Sequence, residues 1–315
     1  MIKELRASID IGSNSVLLLV GDLAHGKLRE LSKRSEITAL GTELDKTKTF
    51  HPDSMAATYA AIKLFAEECK SYGIPPQDII ATATEASRVA INARDFFYQV
   101  EQDVGVKIQT ITSEAEAYFS TKGILFNTNF ENEIITIMDI GGASTELIRV
   151  NTKSFQIIES ISMPIGAVRS SQWLADGLFV QNLQKVFVDF RSELDKYQGK
   201  ALFCVAGTVT SLGNMFLQRK EFEEDEVHGL ILKSEDIDNL FKKLSDFTPE
   251  QYLELYPFLQ KRSQSIRGGL HLVYHLIHRL LVKEMTISTY GLRYGTLLEG
   301  KIKKEFLYGK DNLLP

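Results

Sequence analysis

Apolar and polar residues alternate with a strand period from the start of the chain. ASIDIG and SVLLLVGDL flank a Gly-Ser-Asn-Ser turn, and KLRELSKRSEI alternates after them, which predicts three strands. Pro52 opens a helix through about Tyr72, with Met55, Tyr59, Ile62, Phe65 and Ala66 at helical spacing and Gly73 past its end. DIIATAT predicts a short strand, SRVAINARDFFYQVEQDVG one helix up to its glycine, and KIQTI another strand. Ser113 is placed to cap a helix from Glu114 towards Phe126. The polar, turn-rich FNTNFENE marks a domain boundary, after which IITIMDIGGASTELIRV and FQIIESISM repeat the opening three-strand pattern. Helices follow at about 166–176 and 179–196, and the strand ALFCVAG opens into a helix at Thr208. The remainder is mostly helical to about 283, and the strand MTIST and a closing helix from Gly291 to about Tyr308 complete the pattern. Strands interleaved with helices imply an α/β protein.

The repeat carries the argument further. Aligning IDIGSNSVLLLVGDL with MDIGGASTELIRVN matches Asp10 with Asp139, Gly12 with Gly141 and Ser15 with Ser144. Two such turns, each between apolar strands and each opening a half of similar plan, predict duplicated domains facing across a cleft. A sharp strand–turn–strand points successive backbone N–H groups into one concavity, and glycine allows a ligand close to the main chain. Ser13, Ser15 and Ser144 add hydroxyls and Asn14 an amide, so the turns suit phosphate. An aspartate entering such a turn repels phosphate unless a hard cation lies between them. Asp10 and Asp139 therefore point to Mg²⁺ or another divalent cation, held through waters.

The ordered segments IDIGSNS, ATATEASRVAIN, TSEAEA, DIGGASTEL, AGTVTSLG and YGLRYG resemble the exopolyphosphatase/guanosine-pentaphosphate phosphohydrolase (Ppx/GppA) family over nearly the whole chain. The resemblance implies duplicated actin-like (ribonuclease H-like) ATPase-superfamily domains in the short, two-domain form. Domain I would take 1–125 plus about 298–315, and domain II 126–297. It places Glu116 as the catalytic glutamate. Gly12, Ser13, Asn14, Ser15, Gly141, Gly142, Ala143 and Ser144 become phosphate loops, and Arg88 a phosphate-binding arginine. Asp139 and Glu146 fall where the family has metal-associated acids. Glu116 would orient a water and accept its proton. The implied reaction releases terminal orthophosphate from inorganic polyphosphate, and the short form favours short chains. A guanosine-pentaphosphate (pppGpp) 5′-phosphohydrolase is the close alternative. An actin-like nucleotide-binding regulatory protein with little hydrolysis is a third reading, which ATP binding at AGTVTSLG would favour.

Several positions depart from the family pattern. Ala143 replaces the third glycine of DIGGGSTE, and Ser113 and Ala115 replace a glycine and an acid before Glu116. Arg267 stands where a proline is usual, and Tyr294 replaces the glutamate of GLREG. Ala143 costs about 1–2 kcal/mol if its φ is positive and almost nothing otherwise.

Composition adds limits. The chain has 315 residues, 44% apolar and 24% charged, with formal net charge −5, which argues against non-specific nucleic-acid binding. Cys69 and Cys204 lie in apolar stretches and read as reduced, buried thiols. The N-terminus has no secretory pattern and no apolar run approaches the ~18–20 residues of a membrane span, so a cytoplasmic protein is expected. His271, His275 and His278 share a helix face without an HExxH glutamate, which reads as an ordinary helix rather than a zinc site. The acidic run Glu221–Glu226 reads as a solvated loop, and Trp173 as core. Arg262, Arg267 and Arg293, with Lys242, Lys243 and Lys261, are candidates for guiding a polyanion. A homodimer is left open.

Overall fold

The opening alternation folds into an antiparallel meander of β1 (Leu5–Ile11), β2 (Ser15–Asp22) and β3 (Arg29–Ile37). The computed structural model describes residues 4–126 and 130–309, so part of the FNTNFENE boundary and the last six residues lie outside the described residues. Next come α1 (Leu44–Thr47), α2 (Pro52–Ser71), β4 (Ile80–Ala83), α3 (Glu85–Val89), α4 (Ala93–Val104), β5 (Ile108–Thr110) and α5 (Ser113–Leu125). The first sheet has the order β3-β2-β1-β4-β5, with β4 parallel to β1 and β5 parallel to β4. Its centre is apolar on both faces: all four residues of β4 are buried, as a strand covered on two sides requires. Ala7, Ile9 and Ile11 join Ile62, Phe65 and Phe96 in one core, which also holds the free thiol of Cys69.

Two local expectations are corrected here. The single helix over SRVAINARDFFYQVEQDVG is two, because Ile91 and Asn92 bond elsewhere. Ile91 N–H donates to the Lys48 carbonyl (2.9 Å), Phe50 N–H to Asn92 Oδ1 (2.8 Å), and Asn92 Nδ2 to the Phe50 carbonyl (3.2 Å). Thr112, not Ser113, caps α5, its Oγ1 accepting from Ala115 N–H at 3.2 Å.

The second half repeats the plan with β6 (Ile134–Ile140), β7 (Thr145–Asn151), β8 (Gln156–Met163), α6 (Ala167–Ala175), α7 (Phe179–Asp189), α8 (Arg191–Asp195), β9 (Leu202–Val205) and α9 (Ala206–Phe216). Then follow α10 (Glu224–Val227), β10 (Ile231–Lys233), α11 (Ser234–Leu244), α12 (Pro249–Leu255), α13 (Ser263–Arg279), β11 (Glu284–Ile287) and α14 (Leu292–Glu299). The sheet order is β10-β11-β9-β6-β7-β8. Without the antiparallel edge strand β10, this is the first order again, β8-β7-β6-β9-β11 standing for β3-β2-β1-β4-β5. A three-strand meander continued by two parallel strands is the actin-like (ribonuclease H-like) arrangement, present twice.

The described residues divide into two compact units, 4–126 with 291–309 and 130–290. The return to the first unit begins at Gly291, so all of α14 packs there. Ser8 Oγ meets Thr296 Oγ1 at 2.6 Å, and Arg6 Nη1 donates to the Leu297 and Leu298 carbonyls at 3.0 Å. Gly295 lets α14 lie against the Phe119 backbone, where a Cβ would overlap the carbonyl. The closing helix ends at Glu299 rather than near Tyr308, because Gly300 takes φ 82° and a single 3₁₀ turn, Lys304–Phe306, follows.

In the second unit Cys204 is buried and free, while Trp173 is only partly buried at the core's edge. The acidic run is not wholly a loop: Glu224–Val227 forms one helical turn, and Glu226 accepts from Arg219 at 3.0 and 3.1 Å. Among the described residues no helix is long and apolar enough to cross a membrane.

Candidate active site

The two glycine turns have the same construction. Gly12 N–H donates to the Ser15 carbonyl at 2.9 Å, and Gly141 N–H to the Ser144 carbonyl at 3.0 Å. Each closes an antiparallel hairpin, β1/β2 or β6/β7. Five further turn carbonyls are bound by neighbouring segments. Asn14 O accepts from Thr38 and Ala39 N–H (3.0 Å each), and Ser13 O from Gly41 N–H (2.7 Å). In the second turn Gly141 O accepts from Ala167 N–H (2.9 Å), Gly142 O from Val168 N–H (2.8 Å), and Ala143 O from Arg169 Nη1 (2.5 Å). With the carbonyls held by the protein, no backbone acceptor among the described residues takes the N–H groups of Ser13, Asn14, Gly142 or Ala143. That polarity suits an anion.

Glycine serves close approach here rather than left-handed backbone. Ala143 is absent from the residues with positive φ, so its Cβ carries no left-handed strain. Gly166, which the sequence did not single out, makes the tightest approach to either glycine turn. A Cβ there would lie 2.5 Å from the Gly142 carbonyl carbon and 2.6 Å from the Gly141 and Gly142 oxygens.

The acids sort by strand register. Asp139 lies opposite Glu146 across β6/β7, and both are buried, at 9% and 2% exposure. Cross-strand partners have Cβ atoms about 4.5–5.5 Å apart, so two buried carboxylates there repel unless a cation or proton intervenes. The pair offers two carboxylates to a hard cation, and among the described residues no group of three or more His, Cys, Asp or Glu is placed to hold one. Ser162, on β8 opposite Glu146, donates to Glu146 Oε1 at 2.7 Å and fixes its orientation. Asp10, in the other unit, has Leu17 and Thr82 as register partners instead. The duplicated aspartates thus have unequal surroundings.

Glu116 sits on the first turn of α5 with only 8% exposure. Arg88 Nη2 donates to its Oε2 at 3.0 Å. Arg88 also bonds Glu85 Oε2 through Nε (3.2 Å) and Nη2 (3.0 Å), and the Ile111 carbonyl through Nη1 (2.8 Å). Four of its five N–H donors are thereby used, leaving one on Nη1 for a phosphate. Burial opposes the Arg88 charge, but the Glu116 and Glu85 carboxylates outweigh it and raise its pKa above the ordinary guanidinium value.

The candidate polyanion residues are anchored separately. Arg262 Nη1 donates to Ser211 Oγ (3.1 Å), and its guanidinium covers Gly207 in the first turn of α9. Arg267 Nε bonds the Ser245 carbonyl (2.7 Å), and Arg293 Nη1 reaches the Leu18 carbonyl at 3.4 Å in the first unit. Lys242, Lys243 and Lys261 are exposed. Ala115, where an acid is usual, is fully buried, and Tyr294 is buried with its hydroxyl on Glu30 Oε1 at 2.9 Å. His271 Nε2 bonds the Ser245 carbonyl (3.2 Å), His278 pairs with Asp238 (2.7 Å), and burial lowers the pKa of His271 and His275.

The Ppx/GppA phosphatase family matches residues 19–304. A bifunctional 3-dehydroquinate synthase/phosphatase of Fusobacterium nucleatum is 28% identical over 94% of this chain, which spans only 46% of that relative. Exopolyphosphatase 2 of Mycobacterium tuberculosis is 26% identical over 93% of this chain and 97% of the relative. The solved Ppx-GppA enzyme of Aquifex aeolicus superposes with TM-score 0.76 at 26% identity, covering 95% of this chain and 100% of that one.

Proposed function

The chain belongs to the Ppx/GppA phosphatase family, and from that premise we propose that it hydrolyses the terminal phosphoanhydride of short inorganic polyphosphate. The observation that carries this is the shared Gly N–H to Ser carbonyl turn that opens each half, together with, in the first unit, a buried glutamate bonded by an arginine. In this reading each turn offers its own anion cradle to the phosphate chain, the Ser13 and Asn14 amides with the Ser15 hydroxyl in the first unit, and the Gly142 and Ala143 amides with the Ser144 hydroxyl in the second. Glu116 orients a water and takes its proton as the water oxygen bonds to phosphorus. The bridging P–O bond breaks, and its electron pair leaves with the shortened chain. Loose phosphoryl transfer makes the placement of that water matter more than base strength. Asp139 and Glu146 would help to hold a divalent ion, and the ion would neutralise charge on the phosphoryl oxygens.

The test measures phosphate release from tetrapolyphosphate, long polyphosphate, pppGpp and ATP, each with and without Mg²⁺. Mg²⁺-dependent release from tetrapolyphosphate is expected, and Glu116→Gln should lower turnover by about 10²–10⁴ while the fold survives. Near-normal turnover in that variant removes Glu116 from its role. Release from pppGpp alone replaces the substrate assignment, and binding without release from any of the four overturns hydrolysis.

A further inference from the structure

The Arg88 bonding pattern raises the question of what fixes a guanidinium that must itself fix Glu116. A single contact, Nη2 to Glu116 Oε2, does not by itself remove the rotational freedom of the guanidinium. Glu85 removes that freedom. Its Oε2 accepts from Nε and Nη2 together, and the Ile111 carbonyl takes Nη1 from another direction. Three partners, Glu85, the Ile111 carbonyl and Glu116, together define the plane of the fork. The base of this strut is also held: Glu85 and Arg88 are one helical turn apart on α3, and residues 91 and 92 beyond it are tied to Lys48 and Phe50. The Arg88 side chain is 8% exposed and that of Glu85 21%, so water competes little for these bonds.

We propose that Glu85 is a positioning residue that locks the Arg88 guanidinium in the orientation that aims Glu116. This deepens the hydrolase reading and rests on it. With Glu85 gone, Nε–H and one Nη2–H lose their acceptor. Arg88 then turns its freed donors to Glu116 and drags the carboxylate from the attacking water. Glu85 acts on the chemical step and not on substrate capture.

The test uses the full chain with tetrapolyphosphate and Mg²⁺. Glu85→Met, similar in size but without an acceptor, should lower kcat about 10–30-fold with KM within about 2-fold, as expected for a displaced reacting group. Glu85→Gln keeps an acceptor oxygen and should lose only about 2–5-fold. Adding Glu85→Met to Glu116→Gln should change nothing further, because the effect passes through Glu116. Independently of activity, the Arg88 Nε–H nuclear magnetic resonance signal should lose protection from solvent exchange in Glu85→Met and keep it in Glu85→Gln. Wild-type kcat in Glu85→Met overturns the proposal, as does unchanged protection. Additive losses in the double variant, or kcat and KM shifting together with a lowered Tm, assign Glu85 a merely structural role. Wild-type turnover in Glu116→Gln instead defeats the reading of the site.

Discussion

Replacing Gly166 with alanine should disable the second glycine turn without replacing any residue proposed to contact substrate. Gly166 is extended (φ −143°, ψ −176°), a conformation alanine adopts without strain, so the cost is steric alone. The new Cβ would stand 2.5 Å from the Gly142 carbonyl carbon. Carbon atoms pack at about 3.5–4.0 Å, so turn and helix must part by roughly 1 Å. The bonds from Ala167 and Val168 to the Gly141 and Gly142 carbonyls lie at that contact. Losing two of them at ~1 kcal/mol each, with overpacking of about 1–3 kcal/mol, amounts to about 3–5 kcal/mol. For a unit of this size Tm should fall on the order of 5–15 °C. A phosphate site displaced by ~1 Å should lose about 10² in kcat/KM, read by phosphate release below the lowered Tm. Gly177→Ala is the control. It has φ +69° with nothing within 4 Å, so it should cost about 1–2 kcal/mol and leave turnover intact. Wild-type turnover in Gly166→Ala, or an equal loss in Gly177→Ala, would refute the reasoning.

Ala206 begins α9 at φ 76°, where a Cβ is strained by about 1–2 kcal/mol. Ala206→Gly relieves this against about 0.4–1 kcal/mol of added unfolded-state freedom, and should stabilise by about 0.5–1 kcal/mol in urea unfolding; a lower midpoint counts against it. Burial lowers the pKa of His271 and His275, while the unfolded chain takes up protons from about pH 6.5. Their contribution is therefore complete above about pH 6.5 and lost as pH falls towards the native values. Urea midpoints at pH 7.5 and 5.5 should differ less in a His271→Asn/His275→Asn variant; an equal difference excludes these histidines. Ser162→Ala removes one hydrogen bond that orients the Glu146 carboxylate and should raise the Mg²⁺ concentration needed for half-maximal turnover about 10-fold; an unchanged requirement removes Ser162 from that role.

Much of the fold was legible because it rests on local periodicity. The meander strands and α2 follow from alternation, helical spacing, Pro52 and Gly73, and the two DIG turns announce the duplication. Failures came where distant bonds outweighed local preference. Ile91 and Asn92 read as helix, yet Lys48 captures the Ile91 N–H and Phe50 the Asn92 side chain. Thr112 takes the cap from Ser113 because only it lies one residue ahead of the first helical turn.

The sequence alone determined the family, the α/β class, the repeated turns and the chemical types available at 10, 88, 116, 139 and 146. These depend on residue identity and near-neighbour spacing. Tertiary structure decided what each group does with its hydrogen bonds. It turned the turn carbonyls onto residues 38–41 and α6, spent most of the Arg88 donors within the first unit, and pressed Gly166 against Gly142. It also set Ser162 beside Glu146, across a β7/β8 register shifted at Arg149/Val150. A hydrogen bond depends on distance and direction between atoms far apart in sequence, and only the packed chain fixes those.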